Sequence, residues 1–310
     1  MKILITGAAG FIGSTLVELL RHEHDIRAID NFSVGDVRHV GDVTVEEMDV
    51  ANQEHVEEMV RGQEVVVHLA GFTGIPVCEN NPEAAAVNIL VATKYVTDAA
   101  VRAGVRQLLF PSTFAVYGVP PHHITEETPR APIGMYGNLR AGAEYILLAA
   151  QQLDGLGALI FRQSNIYGRG IAKKRSLLNI LTDQVLRREP ITMYGSGEQV
   201  RNFLHVRDTV QAYKLAIEKG ATGIYNLGSA ETLSVRTIIE TVNEASQRLF
   251  GYTVPVERKP DRGAAGREVD LTDFHFDISK VQRELGFQPK LKVRDAVEEL
   301  LAQESSVPAT

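Results

Sequence analysis

The stretch that most constrains the fold of this chain is residues 1–13, MKILITGAAGFIG. An apolar run at residues 3–5 is long enough for one buried strand, and three glycines follow it, Gly7, Gly10 and Gly13. Residues 14–21 then carry apolar side chains with the period of a helix that buries one stripe. A strand, a glycine turn and a helix N-terminus together predict a site for the pyrophosphate of a dinucleotide, with Phe11 and Ile12 in the turn.

The glycine spacing is GxxGxxG rather than the commoner GxGxxG, so the triplet is a weak signal without its context. A second predicted strand, beginning at residue 26, ends at Asp30, about 20 residues beyond the glycines, where a ribose-binding acid is expected. A carboxylate there would accept hydrogen bonds from the adenosine ribose and repel a 2′-phosphate. We therefore expect NAD rather than NADP, the alternative being an ordinary acid at a strand end.

Bulk properties exclude several classes of protein. The 310 residues exceed the roughly 100–200 of a typical domain, and the net charge of −7 argues against a nucleic-acid partner or an anionic membrane surface. We find no apolar run of about 18–20 residues, so we expect no membrane partner, and the chain begins directly with a strand, so we expect no secretory signal. The single cysteine, Cys78, excludes an internal disulfide and favours a reducing cytoplasm.

Strand-like and helix-like segments alternate up to about residue 165. Such alternation predicts an α/β fold with right-handed crossovers and a parallel sheet covered on both faces. The predicted strands are 2–6, 26–30, 43–48, 64–70, 107–112 and 157–162, and the predicted helices are 13–21, 53–61, 83–103 and 135–153. Beyond residue 165 the alternation loosens: we predict helices at 177–188, 208–219, 234–250 and 277–285, short strands at 191–194 and 224–227, and a loop at 259–266. We therefore predict a cofactor domain at 1–165 and a smaller, interleaved lobe at 166–310.

Several short motifs occur in an order that resembles one family. They are TGAAGFIG at 6–13, the acid at 30, MDV at 48–50, HLAG at 68–71, Asn88, ST at 112–113 and YGNLR at 136–140. Together with residues 195–208 they resemble the extended short-chain dehydrogenases/reductases, in the nucleotide-sugar epimerase and dehydratase branch. The resemblance implies a Rossmann-type, doubly wound parallel sheet with a smaller C-terminal α/β lobe for the substrate.

The resemblance implies a catalytic pair and shows one departure from it. Tyr136 occupies the position of the family's base, and Thr113 that of the hydroxyl on the reacting sugar oxygen, with Ser112 as its neighbouring alternative. The family's lysine, four residues after the tyrosine, is Arg140 here. Arginine keeps the charge but not the shape of an ammonium group. Arg140 could replace the lysine, serve a variant reaction, or mark a protein that binds NAD without turnover.

The resemblance also implies further cofactor contacts, beginning with Asp49, which would accept from the adenine amino group. The other positions that match the family's NAD site are Asn31, Val50, Leu69, Ala70, Gly71 and Asn88, besides Tyr136 and Arg140 themselves.

The residues after Thr113 separate the reactions of the branch. In 4,6-dehydratases the family places Asp-Glu there, to eliminate water, whereas this chain has Phe114 and Ala115. A 4-epimerase needs no second acid, so we expect an NAD-dependent epimerase acting on a UDP-sugar. The alternatives are a nucleotide-sugar reductase, an atypical dehydratase or a non-catalytic binding protein.

For the sugar nucleotide, the resemblance implies Asn165 and Arg201, and Arg262 more weakly, with Arg267 as its rival. An arginine fork suits phosphate oxygens, although any one of these arginines could be a solvated surface charge. Relatives pair helices like those at 83–103 and 135–153 across a two-fold axis, so we expect a homodimer.

Three remaining features have a plain structural interpretation. His68 ends a predicted buried strand, where it would pack or bond backbone. His122 and His123 lie in a proline-flanked loop without the company of other ligands, so no metal is expected. Cys78 has no evident histidine partner, which argues against a nucleophile, although it could line the pocket.

Overall fold

The computed structural model describes residues 1–174, 176–260 and 273–304. Predicted residues Arg262 and Arg267 lie outside the described residues, as does most of the loop predicted at 259–266. In chain order the strands are β1 (Lys2–Thr6), β2 (Asp25–Asp30), β3 (His39–Val40), β4 (Val43–Glu47), β5 (Val65–His68), β6 (Gln107–Thr113), β7 (His123–Ile124), β8 (Gly157–Gln163), β9 (Asn165–Tyr167), β10 (Ile191–Tyr194), β11 (Val200–His205), β12 (Gly223–Leu227), β13 (Thr232–Ser234), β14 (Val256–Lys259) and β15 (His275–Phe276).

The principal sheet has eight strands in the order β12-β8-β6-β5-β1-β2-β4-β3. Its strands are parallel except for β3, which runs antiparallel to β4. All six strands predicted for residues 1–165 lie in this sheet, so the doubly wound parallel arrangement is confirmed. β12 comes from the second half of the chain and pairs with β8, so the C-terminal half returns to the first sheet.

Helices cover both faces of the sheet. They are α1 (Phe11–Leu20), α2 (Gln53–Val60), α3 (Ile75–Asn80), α4 (Pro82–Ala86), α5 (Ala92–Ala103), α6 (Gly134–Asp154), α7 (Leu177–Leu186), α8 (Val206–Lys219), α9 (Val235–Phe250), α10 (Ser279–Leu285) and α11 (Val293–Glu304). Side chains alternate along β1, so Ile3 and Ile5 face the apolar layer of α1 and α8. Leu4 faces the layer of α2, α5 and α6. This two-sided burial explains the continuous apolar runs of the central strands.

The predicted helix at 83–103 is interrupted. Between α4 and α5 the residues Val87–Val91 form a π-helical turn, a feature that often occurs at functional sites. The whole stretch Pro82–Ala103, with a hydropathy of 1.2, could cross a membrane by length and composition alone. Since 44% of that window is buried inside the protein, its apolar character also has a use in the core.

A smaller lobe has its own apolar cluster, built from α7, α9, α11 and the parallel pair β10–β14. A three-stranded sheet in the order β13-β11-β9 connects it to the large domain. Lys259, predicted to begin a loop, is the last residue of β14. The sequence also did not predict α3, α11 or the short strands β3, β7, β9, β11, β13 and β15.

Candidate active site

The glycine loop between β1 and α1 depends on close backbone approaches. Gly7 has φ +71°, and a Cβ there would lie 2.6 Å from the backbone nitrogen of Ala70. A Cβ on Gly13 would lie 2.1 Å from the carbonyl oxygen of Gly7. Gly10 is the N-cap of α1 and provides no side-chain cap. The amides of the first turn, including those of Phe11 and Ile12, are therefore available to an anion without competition from a capping side chain. The loop is therefore shaped as a cradle for an anion.

Asp30 lies at the end of β2, beside the glycine loop. Its Oδ2 accepts from the amide of Ala9 at 3.0 Å and its Oδ1 from the amide of Phe32 at 2.8 Å. Burial raises the pKa of Asp30, and these backbone hydrogen bonds partly oppose that rise. The carboxylate is thus fixed in place while retaining lone pairs for the ribose hydroxyls of a dinucleotide.

Asp49 joins Asp30 at the same edge of the sheet. The Asn31 amide donates to Asp49 Oδ2 at 3.3 Å, and Asp49 Oδ1 accepts from the amide of Ala51 at 2.8 Å. Val50 is buried in the layer beneath. The structure therefore brings together four of the residues predicted for the adenosine end of the cofactor.

His68, at the end of β5, lies between two threonines. Its Nδ1 is 2.9 Å from the Thr6 hydroxyl and its Nε2 is 3.3 Å from the Thr93 hydroxyl. The Thr6 hydroxyl also accepts from the amide of Ala70 at 3.1 Å. Burial, and then the charge of Arg140, lowers the pKa of His68 to about 3. The ring is neutral and has a structural role, as we predict: it packs near Phe110 and bonds two hydroxyls, and so orders the segment containing Leu69, Ala70 and Gly71.

Tyr136 and Thr113 lie on adjoining elements. Thr113 ends β6, and its hydroxyl accepts from the amide of Ala115 at 3.2 Å, at the start of a 3₁₀ turn over Phe114–Tyr117. The first turn of α6 rests on that turn, since a Cβ on Gly137 would lie 2.9 Å from the carbonyl oxygen of Ala115. Tyr136, in that first turn, is half-buried, and its hydroxyl makes no hydrogen bond within the described residues. A phenol and a hydroxyl thus stand at the carboxyl edge of the sheet.

Arg140 follows one turn after Tyr136 and is only 2% exposed. Its two terminal nitrogens donate to the carbonyl oxygens of Pro111, at 3.0 Å, and Phe72, at 2.9 Å. Its buried Nε has no hydrogen-bond partner among the described residues. The guanidinium carbon lies 5.6 Å from the centre of the Tyr136 ring. Arg140 therefore ties α6 to β6 and to the loop after β5 while holding a positive charge beside the tyrosine.

Asn88 lies in the π-helical turn that faces this loop. Its amide donates to the carbonyl oxygen of Ala84 at 2.9 Å. A Cβ on Gly71 would lie 3.2 Å from the carbonyl oxygen of Asn88, so the turn packs directly against the end of the HLAG segment. Asn88 contacts the predicted cofactor segment through its backbone.

Ser112 faces away from Thr113 and belongs to a buried ionic network that sequence reasoning missed. Its hydroxyl donates to the fully buried carboxylate of Glu144. Arg162 grips the same carboxylate, with an Nη2–Oε2 distance of 2.8 Å, and Arg130 adds a third contact at 3.0 Å. Burial alone would lower the pKa of Arg162, but the hydrogen bonds and charge of Glu144 raise it. The sequence does contain one signal of this network, because Arg162 is a charged residue inside the apolar strand predicted at 157–162.

The residues predicted for the substrate lie in the smaller lobe, on neighbouring strands. Asn165 begins β9 opposite Phe203 of β11, and Arg201 lies two residues before Phe203. The Asn165 amide donates to the carbonyl oxygen of Asn202 at 3.3 Å, and Arg201 donates to that of Val200 at 2.9 Å. The structure brings Asn165 and Arg201 together.

Phe114 stands where a dehydratase would have an acid, and it packs in an aromatic cluster. Its ring centre lies 5.2 Å from that of Phe274 and 5.7 Å from that of Phe276. Neither of these two phenylalanines was recognised from the sequence. Cys78 is fully buried, and burial raises the pKa of its thiol, which argues against a nucleophilic role.

A segment from the second half of the chain covers the first turn of α1. The amide of Ala172 donates to the Ser14 hydroxyl at 3.2 Å. The Lys174 ammonium lies 5.4 Å from the centre of the Phe11 ring, and burial lowers its pKa to about 8. The sequence did not single out this lysine, yet its charge lies at the edge of the anion cradle.

The residues present fit NAD. The cradle closed by Gly7 and Gly13 suits a diphosphate, Asp30 suits an unmodified adenosine ribose, and the unpartnered Nε–H of Arg140 is a donor at the end near Tyr136. A doubly wound sheet with these groups at its carboxyl edge defines an enzyme that uses a nicotinamide dinucleotide to oxidise and reduce an alcohol carbon.

More narrowly, the chain belongs to the NAD dependent epimerase/dehydratase family, whose model matches residues 3–228. It is 32% identical to the UDP-glucose 4-epimerase of Corynebacterium glutamicum over 99% of this chain and 97% of that protein. It is 28% identical to a dTDP-glucose 4,6-dehydratase of Actinoplanes over 97% of each. The UDP-glucose 4-epimerase of Thermotoga maritima, solved with UDP-glucose, superposes with a TM-score of 0.87 at 28% identity, over 98% of this chain and 99% of that one.

The prediction that His122 and His123 lie without the company of other metal ligands is wrong for His123. The structure brings His275 and Asp277 to His123, with potential ligand atoms of all three within 4.8 Å of one another. These partners lie about 150 residues further along the chain, so neighbouring sequence could not show them.

Proposed function

We propose that this protein is an NAD-dependent nucleotide-sugar 4-epimerase with a UDP-sugar as its substrate. The observation that carries the proposal is the grouping of Tyr136, Thr113 and Arg140 at the sheet edge, with Phe114 and Ala115 in place of an acid pair. Relatives called UDP-glucose 4-epimerase that span nearly the whole chain, one solved with UDP-glucose and another, from Thermus thermophilus, with NAD, support it.

In the proposed mechanism the phenolate of Tyr136 accepts the proton of the sugar 4-hydroxyl, while the Thr113 hydroxyl hydrogen-bonds the same oxygen. NAD, when bound, supplies a reversible acceptor for the hydrogen on C4. The 4-keto sugar then rotates within the site, so that the hydrogen returns to the opposite face of C4. Tyr136 returns its proton to the oxygen on C4. No net redox change results, so this chain needs no further acid or base.

The positive charge of Arg140 lies beside the proposed base, with its guanidinium carbon 5.6 Å from the centre of the Tyr136 ring. The oxidised nicotinamide ring would add further positive charge, so we propose that arginine takes the place of lysine here. The alternative that Arg140 marks a protein that binds NAD without turnover has less support.

A 4,6-dehydratase is the second candidate, because such enzymes are among the relatives. Elimination of water needs an acid and a base near C5 and C6. Phe114 is committed to an aromatic cluster and Ala115 has no ionisable group. The side chains after Thr113 therefore favour epimerisation.

The test is incubation of the purified protein with UDP-glucose, UDP-galactose and their N-acetyl and uronic relatives. We expect one of them to give its 4-epimer with no net absorbance change at the nicotinamide wavelength. Net consumption of NADH would instead indicate a reductase, and a 4-keto-6-deoxy product a dehydratase. If none reacts while NAD is bound to the folded protein, the proposal of a UDP-sugar epimerase fails.

We also propose a homodimer in a reducing cytoplasm. Val87 and Val91 are exposed one helical turn apart, and Tyr145 and Leu153 are exposed on α6, which packs against the same helices. Large exposed apolar side chains grouped on two adjacent helices suit a subunit interface. A mass measurement in solution should give twice the chain mass, and a monomer at micromolar concentration would contradict it.

A further inference from the structure

The short strands β7 and β15 bring two histidines and an aspartate into one cluster. The strands pair in parallel, with His275 directly opposite His123. The two imidazole rings are stacked, with centres 5.0 Å apart and planes 18° from parallel. Asp277 follows β15, and its Oδ2 lies 3.1 Å from His123 Nε2. Two distant parts of the chain thus present three ligand-type side chains to one point.

We propose that His123, His275 and Asp277 bind a zinc ion. Two imidazole nitrogens and a carboxylate oxygen are a typical donor set for Zn²⁺ in proteins. Bonds of about 2.0–2.1 Å in a tetrahedron require ligand atoms about 3.4 Å apart. The ligand atoms already lie within 4.8 Å of one another, and the two exposed histidines are free to close the remaining distance by side-chain rotation. The fourth position is open to water.

The backbone that holds the cluster is set by a buried side chain. The Asn226 amide donates to the carbonyl oxygens of Ile124, at 3.4 Å, and Asp277, at 3.1 Å. Asp277 also accepts from the amide of Ser279 at 2.7 Å, which orients its carboxylate at the start of α10. The backbone is therefore already fixed at Asp277 and next to His123, so less conformational freedom is lost when the metal binds.

The ion would connect residues 274–276, whose two phenylalanines pack on Phe114, to the large domain. Each strand of this pair is only two residues long, and such a pair is weak without support. Phe274 and Phe276 flank His275 and pack on Phe114, next to Thr113. Zinc at the cluster would fix these rings. The metal would hold the two strands together and takes no part in the chemistry at Tyr136.

The test is a titration of chelator-treated protein with Zn²⁺ by calorimetry, repeated with Co²⁺ and its visible absorption. We expect one site per chain, intense Co²⁺ absorption typical of four-coordination, and a higher melting temperature with Zn²⁺. His123→Ala, His275→Ala and Asp277→Asn should each weaken binding at least tenfold and abolish the thermal shift.

His122→Ala is the matched control, because His122 is the neighbouring exposed histidine and its ring lies 3.4 Å from Asp273 instead. It should retain the wild-type affinity. The proposal is overturned if Zn²⁺ shows no saturable site, if the three ligand variants bind as the wild type does, or if His122→Ala loses as much. These readouts do not depend on turnover, so they stand apart from the epimerase proposal.

Discussion

Arg140 has two tasks that a lysine could not perform together. Its fork spans the carbonyl oxygens of Pro111 and Phe72, which belong to separate segments, and its charge remains near the ring of Tyr136. A lysine ammonium is a compact point charge on a flexible stem and does not reproduce this planar fork. Arg140 therefore keeps a positive charge beside Tyr136 and also ties α6 to β6 and to the loop after β5.

Arg140→Met should lower turnover about 100-fold, or about 2.7 kcal/mol of transition-state stabilisation, because the positive charge beside the proposed base is lost. Arg140→Lys should keep much more of the rate because it keeps the charge. Both variants should lose about 1–3 kcal/mol of the free energy of unfolding, because the carbonyl oxygens of Pro111 and Phe72 lose the donors of the arginine fork. Initial rates and urea denaturation separate the two effects. Turnover by Arg140→Met within threefold of the wild type would exclude activation by this charge.

Asp30 should set the choice between cofactors. Asp30→Ser removes a charged acceptor worth about 1.5–3 kcal/mol, so NAD affinity should fall at least tenfold. It also removes the repulsion of a 2′-phosphate, so the preference for NAD over NADP should narrow. Binding titrations with both cofactors check this, with exposed Asp36→Ser as the control in the same loop. An unchanged preference would show that the discrimination lies elsewhere.

His68 should make the fold sensitive to acid. Its pKa in the folded protein is about 3, against 6.5 as the ordinary value, so the unfolded chain binds more protons below pH 6.5. The stability is fully present above pH 6.5 and is lost as the pH falls. Between pH 7.5 and pH 5 the loss from this residue should be about 2 kcal/mol. Urea denaturation of wild type and His68→Asn should show the difference between them shrinking by that amount; a constant difference would contradict the assignment.

At the scale of elements, α6 is the helix that positions the site. Tyr136, Arg140 and Glu144 occur at intervals of four along it and so lie on one face. Arg140 is tied to β6 through Pro111, and Glu144 to β8 through Arg162. The ionic network thus fixes the helix against the two strands whose ends carry Thr113 and Gln163. Its cost in desolvation is repaid only while every partner is present.

Glu144→Gln should therefore destabilise the protein by about 3–5 kcal/mol, because a buried Arg162 loses its counter-charge. Glu244→Gln, which removes an exposed partner 4.0 Å from Arg248, should cost less than about 1 kcal/mol. The free energies of unfolding from urea curves provide the comparison. Equal, small losses in both variants would show that the network contributes little.

The elements that could be predicted from the sequence are those long enough to show a hydrophobic pattern. β1, β5 and β8 are strands of four to seven residues built on apolar runs of three or four, and α1 and α6 have a clear buried stripe. β7 and β15 contain two residues each, which is too short for any period, and exist because Asn226 and distant segments hold them. The π-helical turn at Val87–Val91 has no signal that separates it from the helix around it.

At the scale of the whole molecule, the chain crosses between its parts more than once. β12 completes the edge of the large sheet after β9–β11 have formed part of the lobe, and α8 packs beside α1. The domain boundary at residue 165 therefore stays a prediction, because the two parts of the chain interleave in space. The cofactor site could be predicted because its motifs are local. The aromatic wall at Phe274 and the cluster at His275 could not, because they depend on this return of the chain.

The most direct test of the central claim, a 4-epimerase acting through transient oxidation at C4, is the fate of the hydrogen on that carbon. UDP-galactose with deuterium at C4 is converted in ordinary water, and the UDP-glucose formed is examined by mass spectrometry. We predict that the deuterium remains at C4, because the hydrogen leaves and returns within one turnover, and that Tyr136→Phe forms no product. Product with solvent hydrogen at C4, or a Tyr136→Phe variant as fast as the wild type, would contradict the account.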